Sequence, residues 1–299
     1  MRDIWRQVIN ILGAGITGSR LFTLFPLYAT GNNLYFKQMN DNLFNNNRSG
    51  SSEILLDTIN YTYEYFLAHG YEPEFIQYQL EYLGKIQMRF KEMALVYNGV
   101  EKLKAITAKG GHITGEIRKM RDDINSIDTR IIANCARLFE RKISLTTFSN
   151  SGLVKKVVHH YRDKIERIYL SESRPVNEGR VMAQFFAELG IEVVFVIDMS
   201  LFGQLCQSSL LLLGADSIGP NFFVNKIGTK ALALSAREYK VKTVVVHESL
   251  KITPSDSLAE NMANRDKSEI WPDVPENITI INKYFELIPN RLIDEFITD

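Results

Sequence analysis

The feature that most constrains the fold is a change in hydrophobic pattern near residue 141. After it, short apolar runs alternate with segments whose apolar residues recur every three or four positions. The apolar runs are 143–148, 167–170, 192–197, 210–213, 243–247 and 279–281, and the helical candidates are 153–161, 178–189, 201–206, 229–239 and 290–296. Continuous Val, Ile and Leu runs suit strands that are buried on both faces. Their alternation with helices predicts a parallel sheet that is covered by helices.

The preceding part of the chain, residues 53–140, has a helical pattern throughout. The apolar positions from Ile113 to Phe139 follow a period close to 3.6 residues, which is typical of one long helix. We therefore predict an α/β protein in which an N-terminal helical domain, residues 49–140, precedes a Rossmann-like parallel-sheet domain, residues 141–299. Residues 1–48 are assigned to neither domain.

The charge balance and the cysteine content exclude several classes of protein. Lys plus Arg and Asp plus Glu both number 35, so the basic excess of a typical nucleic-acid-binding protein is missing. The two cysteines, Cys135 and Cys206, form no closely spaced pair, which argues against a disulfide framework and against a zinc site. Residues 8–25 are mostly apolar, but glycines and polar residues interrupt them, which argues against a membrane-spanning helix. We expect a cytoplasmic protein with no metal, no cofactor, no nucleic-acid partner and no membrane partner.

Residues 13–18, Gly-Ala-Gly-Ile-Thr-Gly, match the glycine pattern of dinucleotide-binding loops. No acidic residue lies between Asp3 and Asp41, so the usual partner of the ribose hydroxyl is missing. The segment that follows also has a helical pattern, whereas a dinucleotide-binding fold needs an alternating series of strands and helices. We therefore interpret this motif as a glycine-broken helix start or a loop.

Two polar segments follow predicted strands and open predicted helices. Residues 146–152, Thr-Thr-Phe-Ser-Asn-Ser-Gly, could offer backbone N–H groups to an anion, or Ser149 or Ser151 could cap the helix. Residues 172–180, Glu-Ser-Arg-Pro-Val-Asn-Glu-Gly-Arg, could orient hydroxyls and phosphate oxygens, or could form a surface ion pair of little energetic value. Ligands of open α/β sheets bind at the carboxyl ends of the strands, so both segments are candidates for one pocket.

Two later segments extend this candidate pocket. Asp216 follows the run Leu210–Leu213 and could carry protons if burial raised its pKa, although a turn aspartate is the simpler interpretation of that segment alone. Residues 225–229, Asn-Lys-Ile-Gly-Thr, open a predicted helix, and a lysine at a helix N-terminus suits a phosphate. Lys251 could add a second positive charge, but each of these lysines could also be an ordinary surface residue.

Taken together, these motifs resemble the family that joins the α, β and δ subunits of translation initiation factor 2B to methylthioribose-1-phosphate and ribose-1,5-bisphosphate isomerases. The resemblance rests on segments 172–180, 214–218, 225–229 and 248–251, and on residues 282–289, Asn-Lys-Tyr-Phe-Glu-Leu-Ile-Pro, which are similar to the family's closing segment. Residues 49–54, Ser-Gly-Ser-Ser-Glu-Ile, are similar to the loop with which the family's helical domain reaches the ligand phosphate.

The family's isomerases use a Cys and an Asp, and the resemblance implies where these would lie in this chain. Ser149 stands at the position of the Cys, and Asp216 matches the Asp. A thiol, with a pKa of about 8.5, loses its proton readily, whereas a serine hydroxyl needs a partner base. Cys135 is expected in the core of the helical domain, and the histidines His159 and His160 are expected on a solvent-facing helix.

A second departure is Glu178, which is similar to the regulatory-subunit pattern and stands where the isomerases carry Gln. The first hypothesis is therefore an α-type regulatory protein that binds a sugar phosphate or nucleotide monophosphate between its two domains. The alternative is an aldose–ketose isomerase of a phosphorylated ribose that uses Asp216 with Ser149.

The resemblance also implies a homodimer or larger homo-oligomer, with other initiation factor 2B-like subunits as further partners. The expected ligand-binding residues are Gly50, Ser51, Ser149, Asn150, Ser151, Gly152, Glu172, Arg174, Glu178, Asp216, Asn225, Lys226, Gly228 and Lys251.

Overall fold

The computed structural model describes residue 43 and residues 50–256 and 264–299, so the glycine motif at 13–18 lies outside the described residues. The helices are α1 (Ser51–His69), α2 (Pro73–Arg89), α3 (Ala94–Lys109), α4 (Ile113–Asn134), α5 (Gly152–His160), α6 (Gly179–Glu188), α7 (Asp198–Gln204) and α8 (Thr229–Glu238). The strands are β1 (Ile143–Thr146), β2 (Ile165–Ser171), β3 (Glu192–Val196), β4 (Leu210–Leu213), β5 (Ser217–Ile218), β6 (Phe222–Lys226), β7 (Lys242–Val246), β8 (Phe285–Pro289) and β9 (Glu295–Ile297).

Helices α1 to α4 form the N-terminal helical part, and their buried residues follow the predicted helical period. Ile54, Leu55 and Ile59 on α1 are completely buried. A Cβ added to Gly99 on α3 would overlap the Leu55 side chain, so the two helices pack in direct contact at that glycine. The predicted long helix ends earlier than expected, because Cys135 N–H is shared between the Ile131 and Ile132 carbonyls and the chain tightens into a 3₁₀ turn.

The second part contains a six-stranded sheet in the order β3-β2-β1-β4-β7-β9, and every neighbouring pair is parallel. The chain moves outward from β1 in one direction and then returns to β4 on the other side of β1. Such a reversal leaves a crevice beyond the carboxyl ends of the strands. The four leucines of β4 are buried on both faces, as their continuous apolar run predicts. The predicted helical domain followed by a Rossmann-like sheet is confirmed.

The prediction was wrong near the C-terminus. Residues 279–281 form no strand, and residues 290–296 form a 3₁₀ turn (Asn290–Leu292) followed by β9 instead of a helix. Asp294 explains the second error: its backbone N–H donates to Thr243 O, and its carboxylate accepts from Thr243 N. These two bonds align the chain along β7 and extend the sheet.

A small antiparallel sheet, β5-β6-β8, was not predicted. Strand β6 pairs with β8 so that Lys226 lies opposite Phe285. The closing segment therefore packs directly beside the Asn-Lys-Ile-Gly-Thr segment.

Side chains of α3 and α4 join the helical part to the sheet domain. Asn98 on α3 donates to the Leu250 and Ile252 carbonyls at 2.7 and 3.0 Å, and Arg130 on α4 pairs with Asp299 at 3.2 Å. Asp299 also accepts from the backbone N–H of Ser249 at 2.7 Å, so both contacts lie beside the 3₁₀ turn that follows β7. None of the helices in the described ranges combines the length and apolar character that a membrane crossing would require.

Candidate functional site

Glu178 joins three of the predicted segments in one charged cluster. Its Oε1 accepts a hydrogen bond from Ser149 Oγ at 3.0 Å and lies 2.7 Å from Lys226 Nζ. Ser149 follows β1, Glu178 immediately precedes α6, and Lys226 ends β6. The fold thus brings together, at the carboxyl edge of the sheet, groups that are far apart in sequence.

The ammonium group of Lys226 is almost completely enclosed. Only 3% of its side chain is exposed, and its Nζ lies 5.0 Å from the centre of the Tyr284 ring. A buried charge is costly unless other groups compensate for the lost water. The Glu178 carboxylate and the negative face of the Tyr284 ring are the compensating groups here.

Asp216 follows β4 and interacts electrostatically with two ion pairs, Lys251–Glu248 and Lys226–Glu178. Burial raises the pKa of the Asp216 carboxyl above its ordinary value of 3.8. The two lysines oppose that rise, and the two glutamates add to it. Asp216 is therefore a carboxyl group whose proton is held more tightly than in water, inside a cluster of alternating charges.

The second ion pair connects the sheet domain with α1. Lys251 Nζ lies 2.8 Å from Glu248 Oε2, and Ser52 Oγ donates to Glu248 Oε1 at 3.3 Å. Burial by itself would raise the pKa of Glu248, but the charge and hydrogen bond of Lys251, with a hydrogen bond from Ser52, hold it below its ordinary value. Glu248 is therefore an ionised carboxylate at the contact between the two parts of the chain.

Asp198, the first residue of α7, shapes the loop after β2. Its carboxylate accepts from Ser171 Oγ at 2.6 Å and from the backbone N–H groups of Ser173 and Arg174, both at 2.8 Å. Ser173 Oγ in turn accepts from Ser149 N at 3.0 Å. Ser149 and Ser173 both have positive φ, at 67° and 58°. Such backbone strain in non-glycine residues persists only where surrounding contacts hold it, and it is frequent at functional sites.

The two helix N-termini at this edge differ. Ser151 Oγ accepts from Val154 N at 3.3 Å, so the predicted cap of α5 is confirmed. At α8 the backbone N–H groups of Gly228 and Lys230 both donate to Glu286 Oε1, at 2.8 and 2.9 Å. A carboxylate of the closing segment thus occupies the position where we expected a phosphate of the ligand.

The other predicted ligand-binding residues lie at this edge with different exposure. Gly50, Asn150, Gly152 and Arg174 are exposed, whereas Ser51 and Glu172 are half-buried. Asn225 is buried, and its Nδ2 donates to Thr229 Oγ1 at 3.2 Å, so this side chain braces the turn before α8. Whether these residues bind a ligand stays a prediction.

Sequence reasoning missed five polar residues of this region: Ser52, Asp198, Glu248, Tyr284 and Glu286. Four of them lay inside motifs that had been noted only for their resemblance to the family: Ser52, Glu248, Tyr284 and Glu286. Asp198 carried a usable signal, since it directly follows the predicted strand 192–197, where ligands and site residues gather in this class of fold.

Cys135 does not substitute for the missing thiol of the family's isomerases. It is completely buried in the core, and burial raises the pKa of its thiol to about 12. His159 and His160 are exposed at the end of α5, as expected. Within the described ranges, no group of three or more His, Cys, Asp or Glu side chains could hold a metal ion.

The curated proteins that are similar to this chain in sequence include two kinds of isomerase. The chain is 32% identical over 141 residues to a ribose 1,5-bisphosphate isomerase of Thermococcus kodakarensis, a match that covers 44% of each chain. It is 35% identical over 160 residues to a methylthioribose-1-phosphate isomerase of Pelotomaculum thermopropionicum, which covers 50% of this chain and 43% of that protein. The chain thus spans less than half the length of these curated relatives.

A solved structure and a family model agree with this likeness. The fold is similar to that of translation initiation factor eIF-2B from Pyrococcus horikoshii, with a TM-score of 0.70, 20% identity, and 88% of this chain and 94% of that chain covered. Residues 83–299 match the model of the Initiation factor 2 subunit family. Because that match covers more than half of the chain, and because the motifs that it spans meet at one edge of the sheet, this protein belongs to the Initiation factor 2 subunit family.

Proposed function

We propose that this protein is an aldose–ketose isomerase of a phosphorylated ribose, with Asp216 as the residue that moves the proton. The observation that carries the proposal is the position of Asp216 beside both ion pairs, with its pKa raised by burial. The names of the similar proteins support this alternative better than the regulatory function that was our first hypothesis.

The reaction class needs a group that can both take and return a proton. Conversion of an aldose into a ketose transfers a proton between adjacent carbons of the sugar. A carboxyl group of ordinary pKa is almost fully ionised near neutral pH, so it holds no proton to donate and is a weak base. The burial of Asp216 raises its pKa and so favours both proton uptake and proton return. Asp216 therefore suits the role better than an exposed aspartate would.

The geometry also supplies a partner for Ser149. Sequence comparison placed a serine where the family's isomerases carry a more acidic thiol, and no histidine was available to assist it. The Glu178 carboxylate accepts the hydrogen bond of the Ser149 hydroxyl at 3.0 Å. We propose that Ser149 Oγ, with its own proton drawn toward Glu178, accepts a hydrogen bond from a hydroxyl of the sugar and so polarises that hydroxyl.

A regulatory ligand-binding protein is the second candidate function. The observation that favours it is the ion pair between Glu178 and Lys226, because the lysine expected to bind phosphate already has a carboxylate partner. A site of this kind could bind a sugar phosphate or nucleotide monophosphate without turning it over.

Proton NMR of the purified protein with ribose 1,5-bisphosphate and, separately, with methylthioribose 1-phosphate separates the two candidates. We expect the signals of the corresponding ribulose product to appear with at least one of the two sugars for the wild-type protein and to be lost with Asp216→Asn. The matched control is Asp163→Asn, which changes an exposed aspartate outside the site and should retain turnover. Line broadening without product would support the regulatory candidate instead.

Three further expectations stay predictions. They are the domain boundary between residues 140 and 141, the cytoplasmic location, and assembly as a homodimer or larger oligomer with or without other initiation factor 2B-like subunits. Sedimentation velocity of the full chain tests the assembly: a species of one chain at micromolar concentration would contradict it.

A further inference from the structure

We propose that Glu178 restricts this site to ligands that carry a single phosphate group. The inference rests on the proposed function for the identity of the sugar, but its charge argument depends only on the described side chains. A specificity of this kind would decide between the two substrate classes named for the similar proteins.

The first support is that both lysines of the site are already paired. Lys226 Nζ lies 2.7 Å from Glu178 Oε1, and Lys251 Nζ lies 2.8 Å from Glu248 Oε2. Each pair is close to neutral as a unit, and Asp216 contributes either no charge or a negative charge. The enclosed part of the site therefore has no net positive charge with which to hold a bisphosphate.

The second support is that Glu286 closes one of the two helix N-termini at this edge. The backbone N–H groups of Gly228 and Lys230 are bonded to its carboxylate, so they have no free donor for a phosphate. Arg174 is an exposed cation at this edge, and its Nη2 donates a long hydrogen bond of 3.4 Å to the Glu269 carbonyl oxygen. The N-terminus of α8 therefore cannot hold a second phosphate while the Glu286 carboxylate occupies it.

The third support is the position of Glu178 itself. Its Oε1 contacts both Ser149 and Lys226, and its Oε2 is buried without a hydrogen-bond partner among the described residues. Its negative charge cancels that of Lys226, which would otherwise attract the second phosphate of a ligand. At an effective dielectric constant of about 20, removal of one such charge at about 7 Å changes the binding of an added negative charge by more than about tenfold.

The test compares two ligands that differ only in the second phosphate, ribose 1-phosphate and ribose 1,5-bisphosphate, by titration calorimetry. We expect the wild-type protein to bind the monophosphate more tightly, because each lysine of the cluster is already paired and offers no surplus charge to the second phosphate. Glu178→Gln keeps the size of the side chain and an acceptor for Ser149 Oγ but removes the charge. It should reduce the ratio of the two affinities by about tenfold or more, mainly by improving the bisphosphate.

The matched control is Glu166→Gln, which removes the same charge from an exposed residue near the opposite end of β2. It should leave the ratio unchanged, because exposed charges separated by more than a Debye length are largely screened. A change equal to that of Glu178→Gln would mean that net charge, and not this position, sets the preference.

The outcomes separate this inference from the proposed function. Equal or tighter binding of the bisphosphate by the wild-type protein overturns the inference even if isomerase activity is found, and this comparison needs no variant to fold. A monophosphate preference without turnover of either sugar overturns the isomerase proposal and leaves the specificity intact. No binding of either ligand would refute both.

Discussion

Glu178 and Lys226 form an ion pair in which only the glutamate reaches solvent: 20% of its side chain is exposed, against 3% for the lysine. The Lys226 ammonium is also held against the Tyr284 ring. Glu178 Oε2 is nevertheless buried without a hydrogen-bond partner among the described residues, so each charge of the pair depends on the other. Removal of either partner should therefore leave a charge that water does not fully stabilise.

Lys226→Gln should weaken the binding of any phosphorylated ligand by at least about tenfold, because it removes the enclosed positive charge of the site. It should also lower the free energy of unfolding by about 1–3 kcal/mol, since Glu178 then lacks its ionic partner. Titration calorimetry and urea denaturation measure the two effects. Lys230→Gln, an exposed lysine on α8, is the control that should change neither. Unaltered affinity in Lys226→Gln would argue against the shared pocket.

Asp216→Asn should change the pH dependence of stability in a defined direction. The folded-state pKa of Asp216 is raised above 3.8, so the folded protein binds this proton more tightly than the unfolded chain does. Its contribution to stability is therefore present at low pH and is lost as the pH rises from about 3.8 through the folded-state pKa. Each unit by which folding raises the pKa of Asp216 corresponds to about 1.4 kcal/mol in the free energy of unfolding.

Urea denaturation of wild type and Asp216→Asn at several pH values between 4 and 8 measures this effect. The stability of the wild type relative to the variant should fall as the pH increases. A difference in unfolding free energy that stays constant with pH would show that Asp216 is not perturbed in the folded protein.

Gly179→Ala should destabilise the protein by about 3 kcal/mol or more, because the new Cβ would overlap the carbonyl oxygen of Ser171. That carbonyl ends β2, so the helix or the strand would have to move, and Glu178 would move with them. Gly84→Ala on α2 is the matched control. No atom lies within 4 Å of its added Cβ, and the helix should gain up to about 1 kcal/mol. Thermal unfolding of both variants checks the prediction; similar stabilities would contradict the close contact.

Glu286→Ala should cost about 1–2 kcal/mol of stability, because two N–H groups at the start of α8 lose their acceptor. It should also open that helix N-terminus to anions, so that phosphate protects the variant against thermal unfolding more than it protects the wild type. Glu276→Ala, at an exposed position, serves as the control. Equal stabilisation of all three proteins by phosphate would show that the helix N-terminus is not the site of the effect.

Local sequence patterns predicted an element correctly where the apolar residues of that element determine its conformation. The four leucines of β4 and the run at 243–247 predicted buried strands, because continuous apolar residues have few other stable environments. The segments after these strands could also be placed at one edge, since all carboxyl ends of a parallel sheet point the same way. Ser149 and Asp216 were therefore identified before any distance was known, whereas Lys226 was identified from its place at the start of a predicted helix.

Local patterns failed where a distant residue decides the conformation. The segment 290–296 has an apolar spacing compatible with a helix, but the hydrogen bonds between Asp294 and Thr243 place it beside β7 as a strand. The same applies to the N-terminus of α8, which the sequence marked as an anion site. Only the pairing of β6 with β8 brings Glu286 to that N-terminus.

The amino-acid sequence by itself determined the two-part architecture, the family and most of the residues at the candidate site, because these depend on hydrophobic period and motif order. Tertiary structure alone decided how the charges of that site are distributed: Lys226 is paired with Glu178, Lys251 with Glu248, and Asp216 is placed beside both pairs. The physical reason is that the electrostatic energy and the pKa of a side chain depend on distance and burial, which spacing along the chain does not specify.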